Sequence, residues 1–185
     1  MGRMSRMSGP DLAEFLRRPH IGVLATLRRD GMPYSVPVWW LWHDDAFWLT
    51  GTTSRVWCRQ LRHDPRASLC IEASEPYVGH VGVDGEVSVH EPPEFDIWPI
   101  SRLLVDKYVG RDDPANAAAV DAFFANMQRE PRLLFRLEPR RHEPNPLRAI
   151  DLRVYRAKRA DREHRSASGA DDPGSSGERA GGRTG

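Results

Sequence analysis

The sequence predicts a mostly β chain: one small closed antiparallel barrel carrying α-helical insertions. Three observations point there. Six or seven short strand-like segments lie between residues 21 and 155, separated by turn signals. Helical periodicity is confined to a few short stretches, the longest near 96–129, too few to cover a doubly wound sheet. And 185 residues with 39% hydrophobic side chains supply one core of ordinary size and not two.

The elements follow in order. Leu12, Phe15 and Leu16 share a helix face, with Asp11 as the expected N-cap and Pro19 as the stop. Ile21 to Leu27 is a short apolar strand. Arg28-Arg29-Asp30-Gly31 gives the hairpin turn to a second strand, Tyr34 to Trp42, rich in aromatic and β-branched residues. His43-Asp44-Asp45 turns the chain into a third strand, Ala46 to Thr50. Arg55 to Leu61 reads as a short helix with Ser54 as N-cap, broken by His63-Asp64-Pro65. Ala67 to Glu72 and Val78 to His90 are further strands, the latter interrupted at Asp84-Gly85. Asp96 opens a helix with Ile97, Ile100, Leu104 and Tyr108 on one face. Asp113-Pro114 starts another, with a stripe of Ala117, Val120, Phe124 and Met127. Arg132 to Leu137 and Leu147 to Tyr155 close the strand set. The domain is expected over residues 9–160. Residues 1–8 are expected to be a disordered lead-in and 161–185 a disordered tail, since 166–185 alone holds 6 Gly and 4 Ser.

Composition excludes several classes. With 27 basic and 26 acidic side chains the net charge is +1, which argues against a globally basic nucleic-acid binder. The 153–165 run (Arg153, Arg156, Lys158, Arg159, Arg162, Arg165) is broken by Asp161 and Glu163 and reads as a solvated end, as do Arg62 and Arg66. There is no run of about 18 apolar residues and no signal-peptide core, so no membrane partner and a cytoplasmic location are expected. Cys58 and Cys70 fit neither a disulfide framework nor a zinc site, and the seven histidines show no ligand spacing, so no metal is expected. All but two of the basic residues are arginine, and five of six tryptophans (Trp39, Trp40, Trp42, Trp48, Trp57) fall in one stretch.

Chemistry concentrates at Thr50-Gly51-Thr52-Thr53-Ser54-Arg55-Val56-Trp57. A strand ends, and a loop of small hydroxylic residues enters a helix N-terminus, where free N–H groups and the helix dipole favour a phosphate. Arg55 adds a forked cation. A capped helix with a surface arginine explains the same residues about as well. Trp40 and Trp42 point to one side of their strand and Trp39 to the other, as core packing or as an apolar wall against a planar ring.

Gly31 to Trp40, Phe47-Trp-Leu-Thr50, Ser54-Arg55, Gln60 to Leu69, Gly85-Glu-Val and Arg148 to Tyr155 together resemble the pyridoxamine 5′-phosphate oxidase-like split-barrel superfamily, over about residues 10–158. The resemblance implies a split antiparallel β-barrel of the FMN-binding type, a homodimer, and FMN or the deazaflavin F420 at the dimer interface. It implies that Val38, Trp39 and Trp40 lie on the strand facing the cofactor ring. Thr50 falls near the ring or ribityl chain, Ser54 and Arg55 at the phosphate, and His80 where a polar side chain reaches the ring. Pyridoxamine phosphate oxidases carry Arg-Lys at Arg55-Val56, arginine at Val36 and lysine at Leu41. The F420-using branch often shows Arg-x-Lys where this chain has Arg55-Val-Trp57. The aromatic strand and the Arg148-Ala-Ile-Asp ending look more like that branch. The expectation is therefore an F420-dependent oxidoreductase passing a hydride to an unsaturated small molecule. The alternatives are an FMN enzyme of the same fold and a non-catalytic flavin- or haem-binding barrel. No catalytic residue is assigned; Tyr34, His80 and Tyr108 are the candidate proton donors.

Overall fold

The computed structural model describes residues 6–73, 78–140, 147–151 and 160. Among the described residues the elements are, in chain order, α1 (Gly9–Arg17), β1 (Gly22–Leu27), β2 (Pro33–Val38), β3 (Leu41–His43), β4 (Ala46–Thr52), α2 (Val56–His63), β5 (Arg66–Ala73), β6 (Gly79–His90), α3 (Trp98–Val105), α4 (Ala117–Met127), β7 (Arg132–Pro139) and β8 (Arg148–Asp151). A π-helical turn, Asp106–Gly110, continues α3, and a 3-10 turn, Pro114–Asn116, precedes α4. No helix among the described residues is long and apolar enough to cross a membrane.

The strands pair antiparallel in the order β2-β1-β5-β6-β7-β4-β3, with β8 on β6. The two outermost strands, β2 and β3, are consecutive in the chain and joined by Trp39-Trp40 alone. The three backbone steps from Val38 to Leu41 span at most about 11 Å, so the sheet has to curl until its edges nearly meet. The result is the split antiparallel barrel that the sequence predicts. Its interior is packed by Leu24, Trp40, Phe47, Leu49, Leu69, Ile71, Val81, Phe135 and Leu137, with Phe15 of α1 closing one opening and Trp57 and Leu61 of α2 adding to the same core. A second core lies on the outer side of β4 and β7, where Trp48 and Leu134 pack against Ile97, Leu104 and Tyr108. β4 is therefore buried on both faces, which is why residues 46–49 read as an unbroken apolar run.

Four details differ from the sequence reading. The strand expected over Tyr34 to Trp42 breaks after Val38, because the chain leaves β1 and joins β4 there. Alternation survives the break: Trp40 and Trp42 face the barrel core and Trp39 the second core. Ser8, not Asp11, caps α1; its hydroxyl accepts from the Asp11 N–H at 3.2 Å. Residues 6–8, assigned to the lead-in, belong to the fold: Arg6 bridges to Ile150 and the Met7 N–H donates to Ala149. And β6 runs unbroken through Asp84-Gly85. Gly85 sits where the Glu138 carbonyl approaches too closely for any Cβ, as the neighbour of β6 changes from β8 to β7. Residues 1–5, the whole tail at 161–185, and all six basic residues named in the 153–165 run lie outside the described residues.

Candidate functional site

β4 ends at Thr52 and α2 begins at Val56, so the loop between them presents the helix start beside the sheet edge. Gly51 makes this close approach possible: a Cβ there would lie 2.6 Å from the Cys58 Sγ and 2.6 Å from the Trp57 ring. Its role is to let α2 seat on β4, with Trp57, Cys58 and Leu61 in the core and the Gln60 side chain bonded to the Thr26 hydroxyl at 2.7 Å. Thr50 donates to the Leu133 carbonyl at 3.0 Å. The loop is pinned by Arg55 N–H to the Thr52 carbonyl (3.1 Å) and Thr53 N–H to the Pro131 carbonyl (3.0 Å).

Ser54 does not cap α2. Arg55 holds the N-cap position, and no side chain bonds the first-turn N–H groups. The Ser54 hydroxyl instead pairs with that of Thr52 at 3.1 Å, leaving two hydroxyls side by side at the helix start. The charge around them is positive. Arg55 is exposed and, among the described residues, has no carboxylate partner. Arg59 reaches back to the Ser54 carbonyl at 2.7 Å and also lacks one. The Cys58 thiol registers this field: burial pushes it up to about 12, and Arg55, Arg132 and Arg62 are near enough to oppose the rise. An uncapped helix start with two hydroxyls and two guanidiniums fits the phosphate of a nucleotide-like cofactor. Arg59 was not singled out by sequence, although its i+4 spacing from Arg55 was visible.

The aromatic residues divide differently. Trp40 is fully buried: its indole N–H donates to the His20 carbonyl at 2.7 Å, its backbone N–H donates to the Tyr108 hydroxyl at 3.1 Å, and the Lys107 ammonium sits 3.3 Å from its ring centroid. Trp57 is packed on Phe135 at 4.8 Å. Neither ring is open to a ligand in this arrangement. Trp39 is half-buried and stacked on Tyr108, 4.7 Å between centroids and 4° from parallel. Val38 is buried at the end of β2, where the chain turns away from β1.

The structure thus places Ser54 and Arg55 in one loop, between Thr50 of β4 and Trp57 of α2, and keeps Val38, Trp39 and Trp40 together at the strand break. His80 lies elsewhere, on β6 between Glu72 and Ile150. Its neighbour Val81 points into the barrel, so His80 faces outward. Of the candidate proton donors, Tyr108 is committed: its hydroxyl donates to the His20 carbonyl at 2.7 Å, and burial pushes the phenol well above its ordinary range. Tyr34 is partly buried on β2 with the Arg28 guanidinium over its ring. Among the described residues no cluster of three potential metal ligands exists. Arg62 and Arg66 are paired with Glu91 and Asp64, which removes them as free basic groups.

Residues 9–143 match the family model described as pyridoxamine 5′-phosphate oxidase. No curated protein matches the chain. Among solved structures, the conserved hypothetical protein Rv2991 from Mycobacterium tuberculosis superposes with a TM-score of 0.61 at 24% identity, covering 82% of this chain and 88% of that one. An F420 reductase matches at 25% identity and a TM-score of 0.50, covering 69% and 91%. The heme storage protein HutZ from Vibrio cholerae shares the fold at 18% identity and a TM-score of 0.56, covering 75% and 92%.

Proposed function

The chain belongs to the pyridoxamine 5′-phosphate oxidase family, and from that premise we propose that it is an oxidoreductase that binds F420 and reduces an unsaturated small molecule. The observation that carries this reading is the α2 start, where Arg55 and Arg59 stand, among the described residues, without carboxylate partners beside uncapped N–H groups and the Thr52 and Ser54 hydroxyls. The likeness to an F420 reductase supports the choice of cofactor. So do Val36, Leu41 and Val56, which are uncharged where the vitamin B6 oxidases carry cations.

In this reading Arg55, Ser54 and the first-turn N–H groups hold the phosphate, with Arg59 steadying the loop through the Ser54 carbonyl. The backbone at Val38 and Trp39 borders the ring. Bound in its reduced form, the cofactor supplies a hydride to the acceptor. Tyr108 fixes this border and does not pass a proton, because its hydroxyl already donates to His20 and accepts from Trp40. A second copy of the chain completes the site. The outward face of β1, β5 and β6 carries Val23, Cys70 and His80, and a dimer seam there gives His80 a route to a shared cofactor.

Titrating the purified full chain with F420 and with FMN tests the proposal. Binding of F420 near micromolar Kd, about 8 kcal/mol, is expected. Weaker than about 100 µM for both cofactors overturns the reading. Tighter binding of FMN moves it to the flavin, and tight binding without reduction of any acceptor makes the chain a carrier.

A further inference from the structure

Away from the α2 loop's residues, α1, β3 and the α3–α4 hairpin enclose a cleft of about 1200 Å3. That is at or above the volume of ordinary small-molecule sites. Leu12, Leu16, Leu41, Trp42, Leu103 and Val120 make most of its wall apolar. Lys107 also lines it, from the π-helical turn Asp106–Gly110, a local irregularity that often marks a functional position.

The Lys107 ammonium is held by two groups of the chain: the Leu16 carbonyl, which accepts at 2.9 Å, and the face of Trp40. Both favour the charged form. Yet among the described residues no carboxylate stands within ion-pair distance of it. The acidic residues at the cleft rim are engaged elsewhere. Asp106 pairs with Arg102, Asp112 with Arg17, and Asp113 caps the turn before α4. Burial pushes the ammonium down to about 7, the direction expected of a cation with no counter-ion. A lysine at the wall of an open cleft, held by a carbonyl and a ring, is completed by an external anion, which would also favour its charged form.

We propose that this cleft is a binding site for a small carboxylic acid with an apolar body, its carboxylate received by Lys107 Nζ. A single ammonium matches a monoanion. A phosphate dianion would meet the three carboxylates of Asp106, Asp112 and Asp113 at the rim, against which Arg111, bonded to the Tyr108 carbonyl, is one further cation. The apolar walls fit an aliphatic or aromatic body.

The test uses the full chain with no cofactor added, so its outcome is separate from that of the F420 titration. Octanoate, 1-octanol and octylamine are titrated at pH 7, read by calorimetry and by tryptophan emission, since Trp42 lines the site. Octanoate is expected to bind at least tenfold more tightly than octanol, and octylamine not to bind. Lys107→Met is expected to lower octanoate affinity at least tenfold and to leave octanol unchanged. Leu103→Trp, at an exposed rim position that accepts bulk without repacking, is expected to weaken both while Lys107 remains in place. Octanoate binding no tighter than octanol, no binding of either, or octanoate affinity untouched by Leu103→Trp overturns the proposal.

Discussion

Arg55 is a charged side chain with no charge to answer it, and removing it separates binding from stability. Its guanidinium is exposed and makes no ion pair among the described residues, so the fold loses little when it goes. A phosphate bound there would lose a charge-assisted hydrogen bond, about 1.5–3 kcal/mol. Arg55→Ala should therefore weaken cofactor binding roughly 10- to 100-fold while the melting temperature of the cofactor-free chain stays within about 1 °C. Gly51 behaves in the opposite way. Gly51→Ala drives a methyl group into the Cys58 sulfur and the Trp57 ring, and overpacking of this kind costs about 1–3 kcal/mol. Urea unfolding should show that loss with no cofactor present. Lys107 gives a dependence on pH whose sign follows from its surroundings. The unfolded chain keeps this proton up to its ordinary value of 10.5, and the folded chain releases it near 7. Between those values the unfolded state binds more protons, so this group makes stability rise with pH. Lys107→Met removes the rise. Its stability relative to wild type should be higher at pH 7 than at pH 9.5 by urea titration. An equal difference at both values would show that the lysine does not titrate in this window.

The β3–β4 hairpin shows how an element was legible and where it can be improved. His43 pairs with Ala46, so Asp44 and Asp45 form a two-residue loop, and both have positive φ, 48° and 54°. That is a type I′ turn, which matches the twist of the flanking strands. Aspartate tolerates the conformation and glycine accepts it without a Cβ penalty. Asp45→Gly should raise stability by about 0.5–1 kcal/mol, and Asp45→Val should lower it, both read from urea midpoints. The sequence announced this turn because its chemistry is local. The break at Trp39-Trp40 was hidden for the converse reason. Alternation of inner and outer residues continues straight through it, and the bend exists only because β4 claims Leu41 while β1 claims Val38. The cap of α2 was misplaced by one residue on similar grounds. Ser54 has the right chemistry, but the Arg55 N–H bonds back to Thr52 and delays the first helical residue to Val56. The extra residue of the π-helical turn, which carries Lys107 and Tyr108 to Leu16, His20 and Trp40, leaves no periodic mark that distinguishes it from the end of α3.

At the scale of the molecule, one sheet face remains to be explained. The barrel fills its interior, and α3 with α4 covers the outside of β4 and β7. β1 is apolar on both faces, Ile21-Gly-Val-Leu-Ala, yet only one of them packs inward: Leu24 is fully buried while Ile21 and Val23 are 49% and 47% exposed. A strand written for burial on both sides needs a cover on the second, and among the described residues the chain supplies none there. The same face carries Cys70 opposite Val23, and His80 two residues before Gly82 on the next strand. A second copy of the chain is the proposed cover. The expected mass in solution is twice 21.0 kDa by light scattering at micromolar concentration. Val23→Arg is the discriminating change. At a half-exposed position a lone subunit tolerates arginine within about 0.5 kcal/mol, whereas a seam must desolvate two copies of the new charge facing each other. The variant should run as a 21.0 kDa monomer with an unchanged circular dichroism spectrum. Its F420 affinity should fall with it, because His80 and the seam leave the site together, whereas octanoate binding in the Lys107 cleft should persist. A wild-type chain that is monomeric at every concentration, or a Val23→Arg variant that remains dimeric, would show that this face is covered by something other than a second copy.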